Sequence, residues 1–537
     1  MFGRLRVTRG SLAKVLLAEL LISAGKWSFA IAIAVSALRH GGPGAVGLVA
    51  AARLLPATLA APLVTRLLDQ ADRSRMVVLT CANQGLFYGC VSLTVIEHGP
   101  LVLIAVLTAL GSAPASAARP ALQALIPALA RHPDEVTRAS ALWAAADNAG
   151  TVIGCGLGAA LIAAVGSGAI AAGGAAAIGA AAAVAAALPR TRATAHDDEL
   201  EEESLAAALA GARAVFRSPL LRAPFLLFLG LLLLEGTTDV QLVALAIRNL
   251  RLGSGGPGLF LALWGIGGTL AGLVLLALVR RRGYGLVIGL GAIVFAAAIG
   301  VTGVSGRVVA LVVMVPAGIG FSLVETGVMA VVPRLADDAI VGRVYGLMEM
   351  IYTGGAGVGA LLAPGLIGAV GVGMSLVVVG STLLLLTLSL LRILARLDVH
   401  QERAASVRDL LRGIPCLGAL PLPRLERLVQ EAQPLHVSTG ETIIRKGEPG
   451  DAFYVLEHGE VEIVGFDRRQ GPGSGFGEIA LLRDIPRTAT VRALADTDLL
   501  RISRRLFVAA VTSHGDATSH AEAMVEENMS RSLAAFE

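Results

Sequence analysis

Twelve apolar stretches, each long enough to cross a bilayer as a helix, fill the first 396 residues of this 537-residue chain. A hydrocarbon core about 30 Å thick requires roughly 20 residues of helix. The composition agrees, because 55% of the residues are hydrophobic and the mean hydropathy is +0.73. We therefore predict an all-α membrane domain. Its twelve predicted spans are 14–38, 46–68, 76–96, 101–121, 141–163, 166–188, 223–247, 257–279, 286–304, 308–332, 346–370 and 374–396.

Arginine in the short loops predicts the orientation of the spans. Arg4, Arg6 and Arg9 precede the first span, and every second loop after it holds further arginines. Cytosolic loops carry such an excess of positive charge. We therefore expect a cytosolic N-terminus, and an even number of crossings returns the chain to the cytosol. The protein is expected in the inner (plasma) membrane as a multi-pass protein with both termini cytosolic.

A charged segment at about 189–222 divides the spans into two groups of six. It contains an acidic run from His196 to Glu203, which is typical of a solvated connector. The sequence at residues 126–142 of the first half is similar to that at residues 332–347 of the second half. Many secondary transporters are built from two such repeated halves. Two predicted domains follow: a membrane domain at 1–398, with halves at about 1–190 and 210–398 and a central cytosolic loop at 189–222, and a cytosolic domain at 399–537.

Charge and cysteine content argue against several classes of protein. The net charge is +4, and the arginines are dispersed rather than gathered into the basic tract that nucleic acid requires. The four cysteines, Cys81, Cys90, Cys155 and Cys416, show no C-x-x-C spacing, so neither a disulfide framework nor a metal site is predicted. No hydrolytic constellation is present. We expect no enzyme, no cofactor and no nucleic-acid partner.

The loop after the second span carries a family resemblance. Residues 65–75, Thr-Arg-Leu-Leu-Asp-Gln-Ala-Asp-Arg-Ser-Arg, resemble the signature Gly-x-Leu-Ala-Asp-Arg-x-Gly-Arg-Arg of the major facilitator superfamily. Asp69 and Arg73 match its Asp and one of the Arg residues that follow, whereas Thr65 and Asp72 replace its two glycines. The resemblance implies a functional loop motif at Asp69 and Arg73.

Three further segments are similar to bacterial exporters of this superfamily. Residues 153–159 resemble the exporter motif Gly-Pro-x-x-Gly-Gly, with Cys155 in place of the proline, and residues 53–56 and 235–240 are also similar. The resemblance covers about residues 10–397. It implies a secondary transporter of two six-helix halves, and it leaves the substrate open because one fold serves many substrates.

Of the charged residues inside predicted spans, we single out four: Lys26, Glu235, Asp239 and Glu325. The resemblance implies that their spans, 1, 7 and 10, line a central transport cavity. Charges in lipid are costly and mark a pathway, a proton relay or a buried pair. Glu235 and Asp239 are four residues apart and share a helical face. Either these residues bind substrate or a proton, with Lys26 as counter-ion, or Lys26 pairs with one acid only to join two helices.

Charges near the ends of spans are secondary candidates. Asp147 and Glu349 stand near the starts of spans 5 and 11, and Arg119 stands near the end of span 4. We expect the two acids at the cytosolic interface and the long Arg119 side chain to reach that interface from within the membrane.

Beyond residue 398 the sequence takes the pattern of a soluble domain. Amphipathic stretches predict helices, and short alternating runs separated by glycine turns predict strands. We predict a small C-terminal β-roll domain with flanking helices. The predicted helices cover 406–411 and 423–429, and the predicted strands cover 441–445, 452–456 and 461–464.

Residues 475–491, Gly-Phe-Gly-Glu-Ile-Ala-Leu-Leu-Arg-Asp-Ile-Pro-Arg-Thr-Ala-Thr-Val, closely resemble the phosphate-binding cassette of cyclic-nucleotide-binding domains. A glycine turn that opens a short helix presents free N–H groups to an anion, and Arg487 adds a charge-assisted contact. By the resemblance, Glu478 accepts the ribose 2′-hydroxyl. The implied binding residues are Phe476, Gly477, Glu478, Ile479, Ala480, Arg487, Thr488 and Ala489.

The two resemblances together predict a secondary transporter of a small molecule, by efflux and with proton coupling as one mode, that cyclic nucleotide regulates allosterically. Thr488 occurs in receptors of both nucleotides, and we favour cAMP over cGMP as the regulatory ligand. Three alternatives stay open. The membrane domain could be a receptor that no longer transports and signals to a protein partner, the cassette could have lost its ligand, or the C-terminal domain could act independently of nucleotide.

Overall fold

The chain divides into two units, Met1–Asp398 and Val399–Glu537. The computed structural model describes residues 9–70, 72–129, 133–189, 212–213, 215–335, 338–466 and 468–534. The first unit is helical, and the second contains β-sheet with flanking helices. The predicted fold class is confirmed.

The described part of the first unit is built from long helices joined by short turns. A 3₁₀ turn, Ala113–Ala117, and a π-helical turn, Leu245–Asn249, interrupt the series. The helices are α1 Arg9–Gln70, α2 Arg73–Ile96, α3 Leu101–Ser112, α4 Ala118–Leu129, α5 Pro133–Ala186, α6 Pro219–Ala244, α7 Gly256–Arg282, α8 Tyr284–Val304, α9 Arg307–Val312, α10 Met314–Leu335, α11 Asp338–Val370 and α12 Val372–Arg412.

Ten helical segments within the described residues are long and apolar enough to cross a membrane. Two of them, Gly10–Ala60 and Ala145–Ala186, have 51 and 42 residues, about twice what one crossing needs. The helix breaks inside each of them, at Gly41 and Gly42 in α1 and at Gly166 in α5. Counting each as two crossings gives the twelve predicted spans.

Prolines interrupt two of the predicted spans. The fourth span consists of α3, the 3₁₀ turn that contains Pro114, and α4. The tenth divides between α9 and α10, where Pro316 lies three residues beyond the break at Val313. Proline lacks the N–H that a continuous helix requires at these points. Hydropathy could not reveal these breaks because both spans stay apolar throughout.

The long helices pack closely within each half. In the N-terminal half α5 packs on α1 and α2, whereas in the C-terminal half α6 packs on α11 and α10 packs on α7 and α8. Gly154 of the predicted exporter motif lies against the carbonyl of Ala24, and Gly236 lies against the carbonyl of Ala356. A Cβ at either glycine would clash with that carbonyl. The small residues thus allow the close helix contacts on which membrane packing depends.

Two segments begin or end differently from the prediction. The helix α6 begins at Pro219, inside the predicted central loop, and residues 190–211 of that loop lie outside the described residues. The predicted span at 374–396 and the predicted helix at 406–411 both belong to the single helix α12. Asp398 in α12 accepts hydrogen bonds from the backbone N–H groups of Gly285 and Leu286, at 2.5 and 2.8 Å, and so caps the start of α8.

The second unit contains two four-stranded antiparallel sheets. One has the order β1-β8-β3-β6 and the other β2-β7-β4-β5, with apolar side chains packed between them. Strands β2, β3 and β4 occupy the positions predicted for strands. The strands are β1 Gln433–Val437, β2 Thr442–Ile444, β3 Ala452–His458, β4 Val461–Val464, β5 Arg468–Gln470, β6 Gly475–Phe476, β7 Thr490–Ala493 and β8 Thr497–Ser503.

Short helices flank the sheets and close a second apolar core, which includes Leu411, Cys416, Phe453 and Phe507. Burial raises the pKa of the Cys416 thiol to about 12, so this cysteine behaves as a small apolar residue. The helices are α13 Pro415–Gly418, α14 Leu422–Glu431, α15 Glu478–Leu482, α16 Arg504–Thr512 and α17 Gly515–Ala534.

Candidate functional site

The predicted cassette forms a turn, a short helix and a loop between strands β6 and β7. Gly477 precedes α15 with φ +96°, a conformation that residues with a Cβ rarely adopt. A Cβ there would also lie 2.5 Å from the Arg487 guanidinium. Glycine is therefore required at position 477 for two reasons, backbone conformation and space.

Arg487 is the central charged group of this site. Its side chain is 4% exposed, and its guanidinium donates hydrogen bonds to the carbonyls of Gly477, at 2.9 Å, and Ala452, at 2.7 Å. It also donates to a carboxylate oxygen of Asp451 at 3.0 Å. A buried cation held in this way is prepared to contact an anion because little side-chain freedom is left to lose on binding.

Asp451 links two arginines of the site. Its second carboxylate oxygen accepts a hydrogen bond from Arg501 at 2.9 Å. Burial acts to raise the pKa of Asp451, but the hydrogen bonds from Arg501 and Arg487 outweigh it, and the pKa lies below its usual value. Asp451 therefore stays ionised at neutral pH and keeps Arg487 in place. The sequence placed Asp451 only in a turn, and a lone Asp there gives no signal of this role.

All eight predicted nucleotide-binding residues line one cleft of the second unit. Six further residues complete its wall: Ile444, Ile463, Arg468, Gln470, Gly475 and Val491. Glu478 is 2% exposed. The cleft thus combines a cation and helix N–H groups, which suit an anion, with a buried carboxylate, which suits a hydroxyl donor, and with apolar side chains.

A second cavity lies within the first unit. The four charged residues predicted for a transport cavity, Lys26, Glu235, Asp239 and Glu325, all line it. Aromatic side chains, among them Trp264, share its wall. These residues come from α1, α6, α7 and α10, so the cavity is lined by helices of both halves. It offers charged groups of both signs beside apolar surface.

The counter-charge of the acidic pair differs from the prediction. Lys26 lines the cavity together with Arg53, Arg119 and Asp147, all from the N-terminal half. Within the described residues Lys26 forms no ion pair with Glu235 or Asp239, and its ammonium lies 5.5 Å from the Trp27 ring. Helix packing turns Lys26 towards its own half.

Arg53 is a cation of the N-terminal half that shares the cavity with Glu235 and Asp239. In the sequence, Arg53 stands out only as the first residue of segment 53–56, which is similar to bacterial exporters. Arg53 is more than 180 residues from the two acids along the chain. The sequence therefore gives no sign that the three residues line one cavity.

Arg119 and Asp147 line the same cavity as the acids of α6. The Arg119 guanidinium is 3.3 Å from the Asp147 carboxylate and 4.8 Å from the centre of the Trp143 ring. Asp147 also accepts a hydrogen bond from the Ser23 hydroxyl at 2.8 Å. Pairing with Arg119 and Ser23 offsets the cost of burying Asp147. The side chain of Glu349 lies outside the described residues.

Glu19 is an acidic residue that sequence analysis missed. It is 3% exposed, and one of its carboxylate oxygens has no hydrogen-bond partner within the described structure. Glu19 lies inside the predicted first span, where any charge is costly. That rule, applied to every charged residue of the span, would have found it.

The predicted loop motif joins α1 and α2. Arg73 is the first residue of α2, whereas the side chain of Asp69 lies outside the described residues. Asp72, which stands where the family signature has glycine, caps α2 by accepting hydrogen bonds from the N–H groups of Ser74, at 3.0 Å, and Arg75, at 3.4 Å. Aspartate is a favoured residue at a helix N-cap.

Known proteins match the two units separately. The family model of the Major Facilitator Superfamily matches residues 15–360, and that of the cyclic nucleotide-binding domain matches residues 434–514. A structure of the nucleoside transporter NupG superposes with a TM-score of 0.60 and 12% identity, over 71% of this chain and 99% of NupG. At that identity the likeness shows the fold alone.

Curated relatives match the second unit. A cAMP-dependent protein kinase regulatory subunit of Aspergillus fumigatus is 36% identical over 114 residues, which are 20% of this chain and 27% of that protein. One from Eremothecium gossypii is 45% identical over 74 residues, 13% of this chain and 16% of that protein. The chain therefore spans about a quarter or less of these relatives. It is a multi-pass membrane protein that belongs to the Major Facilitator Superfamily and contains a cyclic nucleotide-binding domain in its C-terminal unit.

Proposed function

We propose that this protein is a secondary transporter that exports a small molecule, with a proton as the coupling ion, and that cAMP binding to the C-terminal unit regulates it. The observation that carries the proposal is the presence, in one chain, of a charged cavity between two membrane halves and a nucleotide cleft with all its cassette residues. The residues of the cavity support proton exchange, and those of the cleft support nucleotide binding.

The cavity supports alternating access with proton exchange. Glu235 and Asp239 share one face of α6 and line the cavity with Glu325. Neighbouring carboxylates in a low-dielectric site bind a proton more readily than isolated ones in water. Arg53 offers a positive charge in the same cavity. Protonation from one side and release to the other would drive the substrate in the opposite direction.

The cleft supports binding of a cyclic ribonucleotide. The N–H groups at the start of α15 and the Arg487 guanidinium suit the cyclic phosphate, and Glu478 suits the ribose 2′-hydroxyl. The relatives that match the second unit are cAMP-dependent protein kinase regulatory subunits, which favours cAMP over cGMP. Nucleotide binding would shift the conformational equilibrium of the membrane unit, and a coupling of about 1–3 kcal/mol changes a rate several-fold.

Location and orientation follow from the loop arginines. An even number of crossings with positive loops on one side supports an inner-membrane protein with both termini cytosolic. The nucleotide cleft would then face the compartment where cyclic nucleotides are made. The residues of neither site suggest a bond-breaking step, so we propose no enzymatic activity.

Transport is tested by comparing cells that express the wild-type chain with cells that express Asp239→Asn. Small molecules inside and outside the cells are profiled by mass spectrometry. We expect at least one compound whose export falls about tenfold in the variant, because an amide cannot carry the proton. The protein reconstituted in proteoliposomes should then transport that compound, and saturating cAMP should change the rate about fivefold or more.

Asp409→Asn makes the same chemical change at an exposed residue of the second unit and serves as the matched control. If export of every compound is the same in wild type, Asp239→Asn and a chain that lacks residues 399–537, the transporter proposal is wrong. A membrane-anchored receptor that signals to a protein partner would then be the better interpretation.

A further inference from the structure

The nucleotide cleft has a second end, away from the phosphate-binding groups. Arg487, Thr488 and Ala489 directly precede β7, whose first residue, Thr490, pairs with Val464 at one end of β4. At the other end of β4, Val461 pairs with Gln470 of β5. Three residues of strand separate the two ends of β4 by about 10 Å. A nucleotide about this long, with its phosphate at the first end, would reach Gln470 with its base.

Gln470 is the polar residue of this second end that stands out by its burial. Its side chain lines the cleft and is 9% exposed. The side-chain carbonyl oxygen, Oε1, is fully buried and has no hydrogen-bond partner within the described structure. A buried acceptor without a donor is costly, so native proteins rarely keep one unless a ligand or water satisfies it.

We propose that Gln470 reads the purine base, its Oε1 accepting a hydrogen bond from the exocyclic amino group at C6 of adenine. The inference rests on the proposed nucleotide binding and adds a determinant of base specificity. Adenine presents a donor at this position, whereas guanine presents a carbonyl acceptor. An acceptor in the wall therefore selects adenine and repels guanine. The neighbouring apolar side chains, Ile463 and Val491, leave the ring faces without polar competition.

The test compares ligands that differ only at C6. Full-length protein in nanodiscs is titrated with cAMP, with cGMP and with purine riboside 3′,5′-cyclic monophosphate, which lacks the amino group. We expect wild type to bind cAMP about tenfold more tightly than the unsubstituted purine, the effect of one buried hydrogen bond. In Gln470→Leu this ratio should fall to about one, whereas Gln470→Glu, which keeps an acceptor, should retain a preference for cAMP.

Gln430→Leu, the same change on α14 at an exposed residue outside the cleft, should keep the wild-type ratio. Equal affinity of wild type for cAMP and the unsubstituted purine would overturn the inference while leaving nucleotide binding intact. So would tighter binding of cGMP than of cAMP, or an unchanged ratio in Gln470→Leu. Failure of wild type to bind any of the three ligands would refute the proposed nucleotide sensing itself, and this inference with it.

Discussion

The nucleotide cleft and the membrane cavity differ in how the chain assembles them. The eight predicted residues of the cleft lie between Phe476 and Ala489, and one turn, one short helix and one loop bring them together. The charged groups of the cavity range from Lys26 to Glu325 and depend on how α1, α4, α5, α6 and α10 pack. A local site can be recognised as a motif, whereas a site built by packing cannot.

The two sites also treat their charges differently. In the cleft, Arg487 is held by two backbone carbonyls and Asp451, so its position follows from the local fold. In the cavity, Arg53 of one half and the acids Glu235 and Asp239 of the other line a common wall. Substitutions in the cleft should therefore lower nucleotide affinity and leave basal transport unchanged. In the cavity, the effect on transport of a substitution on one helix should depend on residues of other helices.

The largest effect is expected for Arg487→Ala. The change removes the cation of the cleft, and we expect cAMP affinity of the full-length protein to fall by about a hundredfold or more. The carbonyls of Gly477 and Ala452 also lose their donor, so the C-terminal unit should melt at a lower temperature. Ligand titration and thermal unfolding of the protein in nanodiscs measure the two effects.

Arg492→Ala, at an exposed residue of β7, is the control for this change and should alter neither quantity appreciably. Undiminished cAMP binding by Arg487→Ala would remove Arg487 from the site. The basal transport rate without nucleotide should stay within about twofold of wild type if the two sites are as separate as their construction suggests.

A smaller effect, about tenfold, is expected for Arg53→Gln in transport of the compound identified by profiling, because the acids of α6 lose the charge that favours their ionised form. The double change Arg53→Gln with Asp239→Asn should cost less than the two single effects combined, since it removes both members of the interaction. Transport rates in proteoliposomes complete the double-mutant cycle. Strict additivity would mean that Arg53 and Asp239 act independently, contrary to the arrangement of the cavity.

The smallest effect is expected for Gly477→Ala. A Cβ at φ +96° costs about 1–2 kcal/mol and meets the Arg487 guanidinium, so cAMP affinity should fall several-fold. Gly465→Ala is a matched control, because Gly465 has φ +90° but open space around its Cα. Both variants should lose similar stability, whereas only Gly477→Ala should lose affinity. An equal loss of affinity in both would assign the effect to backbone strain rather than to Arg487.

The fold was largely predictable because its signals are local. Hydropathy found twelve spans even where the helix continues through a kink, as at Gly41 and Gly42, because each crossing needs its own apolar length. The same method missed the breaks at Pro114 and Val313, since proline changes hydrogen bonding without changing the apolar character of a span.

The cavity was predictable only in part. Lys26, Glu235, Asp239 and Glu325 were found because any charge within an apolar span is unusual, and all four line the cavity. The prediction that Lys26 is the counter-ion of Glu235 and Asp239 was wrong. Rotation of each helix about its axis decides this, and a spacing of three or four residues fixes only which side chains share a face, not what that face meets.

The sequence by itself determined the membrane-spanning architecture, the β-roll and the residues of the cassette, because apolar length, alternation and a continuous motif are properties of neighbouring residues. Only the tertiary structure decided that Arg53 shares a cavity with the acids of α6, that Asp451 positions Arg487, and that Gln470, whose buried oxygen has no partner within the described residues, lines the nucleotide cleft. The physical reason is that electrostatic and hydrogen-bond partners are set by distances of a few ångströms in space, which separation along the chain does not encode.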